Sequence, residues 1–131
     1  MSKVFSLILL PDRLTICRLP PDALLPSWAE SDGLQAIIRT TDELCIICGE
    51  DNVPANITAE PNWRALKVRG PLVFSEVGVI ASLANPLAEA GISIFVISTF
   101  ETDYILVKKR DLEAAVENLR EAGHSVRIDG A

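Results

Sequence analysis

Residues 73–109, VFSEVGVIASLANPLAEAGISIFVISTFETDYILVKK, decide the fold. A polar turn carrying Gly78 opens a segment with apolar residues at Val77, Ile80, Ala81, Ala84, Leu87 and Ala88, the i, i+3, i+4, i+7 spacing of one helix face. Ser75 stands where an N-cap is expected and Gly91 where the helix ends. Pro86 falls inside that helix and removes one hydrogen bond, which predicts a bend between Ser82 and Pro86. Ile92 to Thr99 and Tyr104 to Lys109 then read as two strands. They are joined by the tip Ser98-Thr99-Phe100-Glu101-Thr102-Asp103.

Outward from this stretch, Trp63 to Arg69 reads as a strand ended by Gly70-Pro71. Leu112, Ala115, Val116 and Leu119 mark a second helix stopped by Gly123, and Ser125 to Ile128 reads as a last strand. The order β-α-β-β-α-β predicts an α+β, ferredoxin-like unit. Ahead of it, Lys3 to Leu10 and Leu14 to Leu19 are expected to pair across Pro11-Asp12-Arg13. Leu34 to Thr40 and Glu43 to Cys48 are expected to pair across Thr41-Asp42, with one or two helical turns within Pro21 to Trp28. This half looks like a reduced, helix-poor version of the same unit. Gly49 to Asn62, rich in turn formers, reads as a linker, so the expected domains are 1–60 and 61–131.

Composition excludes several classes of function. The 131 residues are 49% apolar and 23% charged, enough to bury a core and too apolar for disorder. A net charge of −6 opposes contact with phosphate backbones or anionic lipid, so neither nucleic acid nor membrane is an expected partner. No run approaches the ~20 apolar residues of a membrane span. The N-terminus lacks a basic, cleavable leader, and a cytoplasmic location is expected. Cys17, Cys45 and Cys48 lie in β-type apolar runs and read as small buried hydrophobes. Cys45 and Cys48 match C-x-x-C by spelling only, because residues three apart on a strand point to opposite faces. His124, the single histidine, reads as a surface turn residue, and Asn56-Ile57-Thr58 as an idle sequon. No catalytic constellation, metal set or cofactor motif stands out.

Both alternating sets of Ile92 to Ile97 are apolar, and Tyr104 to Val107 behaves alike. A sheet covered on one face only shows clean alternation. The second face must therefore be covered by the other half of the chain, by a second copy, or by both, and a homodimer is predicted.

The segments Phe74 to Ile80, Leu83 to Ser93 and Ser98 to Val107 resemble an ACT domain, the small-molecule-sensing module of amino-acid metabolism. The likeness covers Asn62 to Ile128, and the wider pattern is similar to tandem-ACT proteins of the aspartokinase-regulatory and arginine-sensor (CASTOR) kind. Ser75 and Glu76 depart from the commoner turn, which has an aspartate and often a proline. The resemblance implies a βαββαβ ACT domain preceded by a degenerate ACT-like half. It also implies that the loop Ser75, Glu76, Val77 and Gly78 lines a ligand pocket at an interface between domains.

Each residue of that pocket has a plainer role beside the functional one. Gly78 either lets a ligand reach free helix N-terminal amides, which favour a carboxylate, or allows close packing. Asp103 either pairs with an ammonium or guanidinium group, as the resemblance to the arginine sensors implies, or accepts backbone bonds in the turn with help from Thr102. Glu76 contacts an amine or complements the helix dipole, the latter being favoured. Ser98, Thr99 and Phe100 contribute through backbone groups. Two functions fit: a non-catalytic regulator binding an amino acid between ACT units, and a structural module recruiting a partner, for example an amino-acid biosynthetic enzyme, without a ligand. An RNA-recognition sheet needs surface aromatics with a basic flank, and an acylphosphatase-type hydrolase needs an arginine-bearing phosphate loop. Neither is present at 5% aromatic content or in Gly70 to Phe74.

Overall fold

A computed structural model describes residues 3–30, 32–73 and 75–128. Phe74, part of the motif that carries the family resemblance, lies outside the described residues. The elements run β1 (Ser6–Leu19), β2 (Ala36–Arg39), β3 (Leu44–Gly49), β4 (Thr58–Val68), α1 (Val79–Glu89), β5 (Ile94–Ser98), β6 (Asp103–Lys108), α2 (Leu112–Glu121) and β7 (Ser125–Arg127). They form two compact units, Met1–Pro11 with Arg64–Ala131, and Asp12–Trp63. A division at residue 60 assigns the first eleven residues to the N-terminal half. The structure moves them to the C-terminal unit, where Ser6, Leu7 and Ile8 pair in parallel with Ser125, Val126 and Arg127.

The C-terminal unit has the ferredoxin-like order β4-α1-β5-β6-α2-β7, with β1 inserted between β7 and β4 in its sheet. Arg69 N–H donates to the Ser6 carbonyl at 2.7 Å along that insertion. Leu83 and Leu87 of α1 and Ala115 and Leu119 of α2 pack with Leu66, Val68, Ile105 and Val107, all without solvent exposure. Each buried leucine or isoleucine contributes about 1.5–3 kcal/mol by leaving water. Ala65 and Leu106, on the opposite strand face, are also fully buried within the single chain. Phe95, Ile97 and Tyr104, which carry the expectation of a covered second face, are half-buried.

Three details of this unit differ from expectation. Helix α1 starts after Gly78, so its buried stripe is Val79, Leu83 and Leu87; Val77, Ala81 and Ala88 are exposed. Ala81 and Ala88 are small enough to suit either side, and packing, not periodicity, chose between overlapping faces. Strand β4 begins at Thr58, inside the expected linker, after a short turn of 3-10 helix at Glu50–Asn52. His124 is buried at 4% exposure rather than on the surface.

The reason for burying His124 lies in Pro86. A proline at that position has no N–H for the Ser82 carbonyl four residues earlier. His124 Nε2 contacts that carbonyl at 3.0 Å, and its Nδ1 accepts the Phe5 N–H at 3.0 Å while the Phe5 ring stacks on the imidazole. Since a backbone N–H can only donate, Nδ1 accepts and Nε2–H donates: the neutral tautomer satisfies both backbone groups. One side chain thus ties α1 to the start of β1.

The N-terminal unit is built from strands. The second part of β1 pairs antiparallel with β3 from Leu14↔Gly49 to Leu19↔Leu44, and β3 pairs with β2 as far as Arg39↔Leu44. The Thr40 hydroxyl accepts the N–H groups of Asp42 and Glu43, closing the expected turn. The hairpin expected at Pro11-Asp12-Arg13 is absent, because β1 runs straight through it. Pro11 falls between the stretch that pairs β7 and the stretch that pairs β3, outside both of those ladders. Pro21 to Trp28 contributes only the start of a 3-10 turn, Ser27–Ala29. Cys17, Ala29, Leu44, Ile46 and Cys48 form the core. Burial, helped by the neighbouring Cys48, pushes the Cys17 thiol up to about 11. Cys45 and Cys48 are raised in the same direction, chiefly by burial.

Candidate functional site

Beyond β4 the chain passes directly under the β5–β6 tip. A Cβ on Gly70 would stand 3.0 Å from the Glu101 carbonyl oxygen and 3.3 Å from Thr102 Cβ, so only glycine fits without displacing backbone. Leu72 N–H donates to the same Glu101 carbonyl at 2.7 Å. Ser98 and Asp103 are the last paired residues of the hairpin. Across the tip, Thr99 N–H and the Thr99 hydroxyl both donate to the Thr102 carbonyl, at 2.8 and 3.1 Å. The Thr102 hydroxyl donates to the Val68 carbonyl at 2.6 Å. The tip is therefore fastened to the end of β4.

Gly78 is the N-cap of α1 with φ of 82°, a left-handed conformation that other residues adopt at a cost. No side chain caps the helix and no acidic residue lies in its first turn. The N–H groups of Val79, Ile80 and Ala81 have no carbonyl one turn earlier to accept them. Nothing lies within 4 Å of where a Gly78 Cβ would be.

Helix start and hairpin tip face each other across an open cleft of about 770 Å³. Gly78, Val79, Ile80 and Ala81 form one side, with Leu72, Val73 and Glu76 beside them. Ser98, Thr99, Phe100, Glu101, Thr102 and Asp103 form the other. Glu76 is paired with Lys3 at 2.6 Å, whereas Glu101 and Asp103 form no ion pair among the described residues. One side thus offers amide donors and the positive end of a helix dipole, and the other offers two carboxylates. Such a cleft suits a small zwitterion. Val73 and Phe100 leave 64% and 78% of their surface exposed at its rim.

Seven of the nine expected site residues line the cleft: Glu76, Gly78, Ser98, Thr99, Phe100, Thr102 and Asp103. Ser75 and Val77 do not, and Ser75 caps nothing because the helix begins four residues later. Glu76 lies before the N-cap and is held by Lys3, so the role of first-turn dipole complement is corrected. The Thr102 hydroxyl is occupied by Val68. Glu101 and the first-turn residues Val79, Ile80 and Ala81 were not anticipated. Glu101 had a legible signal, a carboxylate inside an otherwise neutral tip. The free helix-start amides expected beside Gly78 belong to Val79, Ile80 and Ala81, further along the chain than a helix capped at Ser75 places them. Among the described residues there is no cluster of three metal-ligating side chains, and no helix is long and apolar enough to cross a membrane.

Comparison with known proteins is consistent with this geometry. A family model described as ACT domain matches residues 58–121, and one described as an N-terminal domain matches residues 12–56. The human cytosolic arginine sensor for mTORC1 subunit 1 is 42% identical over 59 residues, 44% of this chain and 18% of that protein. The chain thus spans less than a fifth of the length of the curated relatives it first matches. A crystal structure of an Agobacterium tumefaciens protein superposes with a TM-score of 0.93 at 38% identity, covering 98% of this chain and 96% of that one. The ligand-free regulatory subunit of aspartate kinase from Thermus thermophilus superposes with a TM-score of 0.62 at 16% identity, over 92% and 99% of the two chains. That last likeness is one of fold.

Proposed function

The chain belongs to the ACT domain family, of the arginine-sensor type, and from that premise we propose that it is a non-catalytic sensor of an amino acid. The observation that carries the reading is the juxtaposition of the uncapped α1 start with Glu101 and Asp103 across one cleft. The ligand carboxylate takes the amides of Val79 to Ala81, and its cationic end takes Asp103. Ser98, Thr99 and Phe100 shape the wall between them. The apolar rim of Val73 and Phe100 is covered when a second ACT unit closes on the occupied cleft, and a homodimer supplies that unit. A ligand gripped by two units shifts the equilibrium toward the arrangement that grips it. The protein acts in the cytoplasm on an enzyme or regulator of amino-acid metabolism.

A thermal-shift panel of the twenty amino acids, with arginine as first probe, tests this reading. A ligand at ~100 times its Kd adds about 2.7 kcal/mol, several degrees for a domain of this size. No shift with any amino acid at millimolar concentration would refute it.

A further inference from the structure

We infer that Lys3 sets the polarity of the cleft by cancelling the charge of Glu76, so that the α1 end accepts a carboxylate; this rests on the amino-acid reading above. Glu76 lies two residues before the Gly78 N-cap and lines the cleft on the same side as Val79, Ile80 and Ala81. A lone carboxylate there competes with any ligand carboxylate for the amides and the dipole, and repels it. Lys3 Nζ sits 2.6 Å from Glu76 Oε2, with the two side chains 52% and 26% exposed. At the far end, Glu101 and Asp103 have no such partner among the described residues. Three carboxylates therefore line the cleft, and only the one beside the helix start is neutralised. The result is a directional site, neutral to positive at α1 and negative at the hairpin tip.

Lys3 does this from a fixed base. Phe5, two residues on, donates its N–H to His124 Nδ1 at 3.0 Å and accepts the Ser125 N–H at 3.0 Å. Removing the ammonium leaves those anchors in place, so Lys3 is a positioning residue acting through Glu76 and its loss is separable from unfolding.

The test compares arginine with its decarboxylated amine on the full chain by calorimetric titration, using whichever amino acid gives the shift in the panel if arginine does not. Lys3→Met is expected to weaken the amino acid about three- to five-fold, the range of an exposed ion pair. It does not weaken the decarboxylated amine, because that ligand brings no carboxylate to the α1 end and its cationic groups are attracted by the freed Glu76. Adding Glu76→Gln to Lys3→Met restores the amino-acid affinity, an outcome a merely structural role for Lys3 does not give. Unchanged or tighter amino-acid binding by Lys3→Met, or equal losses for both ligands, overturns the inference while leaving the sensor reading intact. Failure of the unaltered chain to bind any amino acid removes the sensor reading and this inference with it.

Discussion

The two units of this chain solve the same packing problem with different means. In the C-terminal unit two helices seal one sheet face, and backbone groups of α1 must be satisfied outside the helix: His124 takes the Ser82 carbonyl that Pro86 leaves free, and the amides at the start of α1 face a cleft. In the N-terminal unit strands and tight turns satisfy most backbone groups locally, and small thiols and aliphatics fill the core. The candidate site gathers where the fold leaves donors uncommitted. Helix ends provide them and closed strand ladders do not.

The sharpest way to break this comparison is to hollow each core in turn. Leu83→Ala and Ile46→Ala each remove a fully buried side chain and should each cost about 2–5 kcal/mol in urea unfolding. Only Leu83→Ala should also weaken the ligand, since α1 positions the cleft. Equal effects of both on ligand affinity would contradict the assignment of the site to the C-terminal unit.

Next comes His124→Phe. It keeps an aromatic ring against Phe5 but leaves the Phe5 N–H and Ser82 carbonyl without their partner, and should cost about 1–3 kcal/mol. A variant as stable as the original would show that water replaces the imidazole.

Asp103→Asn tests the acidic end. Asp103 makes no ion pair among the described residues, so stability should stay within about 0.5 kcal/mol while affinity for a cationic amino acid falls about tenfold. A loss of stability without a loss of affinity would make it a turn residue.

The N-terminal unit makes the smallest prediction, and it concerns alkaline pH. The Cys17 thiol is pushed up to about 11 in the folded chain from an ordinary 9.0. The unfolded chain loses that proton first, so Cys17 contributes its full stability below pH 9 and loses it progressively as pH rises from 9 to 11. Urea midpoints across that range should fall less steeply in Cys17→Ala.

The C-terminal unit was the more legible for a physical reason. The apolar spacing around Leu87, the helix-ending Gly91, and the apolar runs either side of Thr99 to Glu101 are local signals, read within one or two turns of chain, although they did not single out Leu83. The candidate site was legible as two segments, Ser75–Gly78, of which Glu76 and Gly78 line the cleft, and Ser98–Asp103, because a helix start and a hairpin tip announce themselves. What escaped was set by contacts distant in sequence. Pro11 looked like a turn, and only the pairing of β1 with β7 before it and with β3 after it shows that a proline there falls outside both of those ladders. His124 looked exposed, since nothing nearby in sequence says that Pro86 leaves a carbonyl in need of it. The pairing of Lys3 with Glu76 spans more than half the chain.

A crystal structure of the full chain grown with the amino acid that gives the largest thermal shift tests the central claim most directly. The carboxylate should lie within hydrogen-bond reach of the Val79, Ile80 or Ala81 amides, and the cationic end against Asp103. Density for the ligand anywhere else, with this cleft unchanged, would contradict the account.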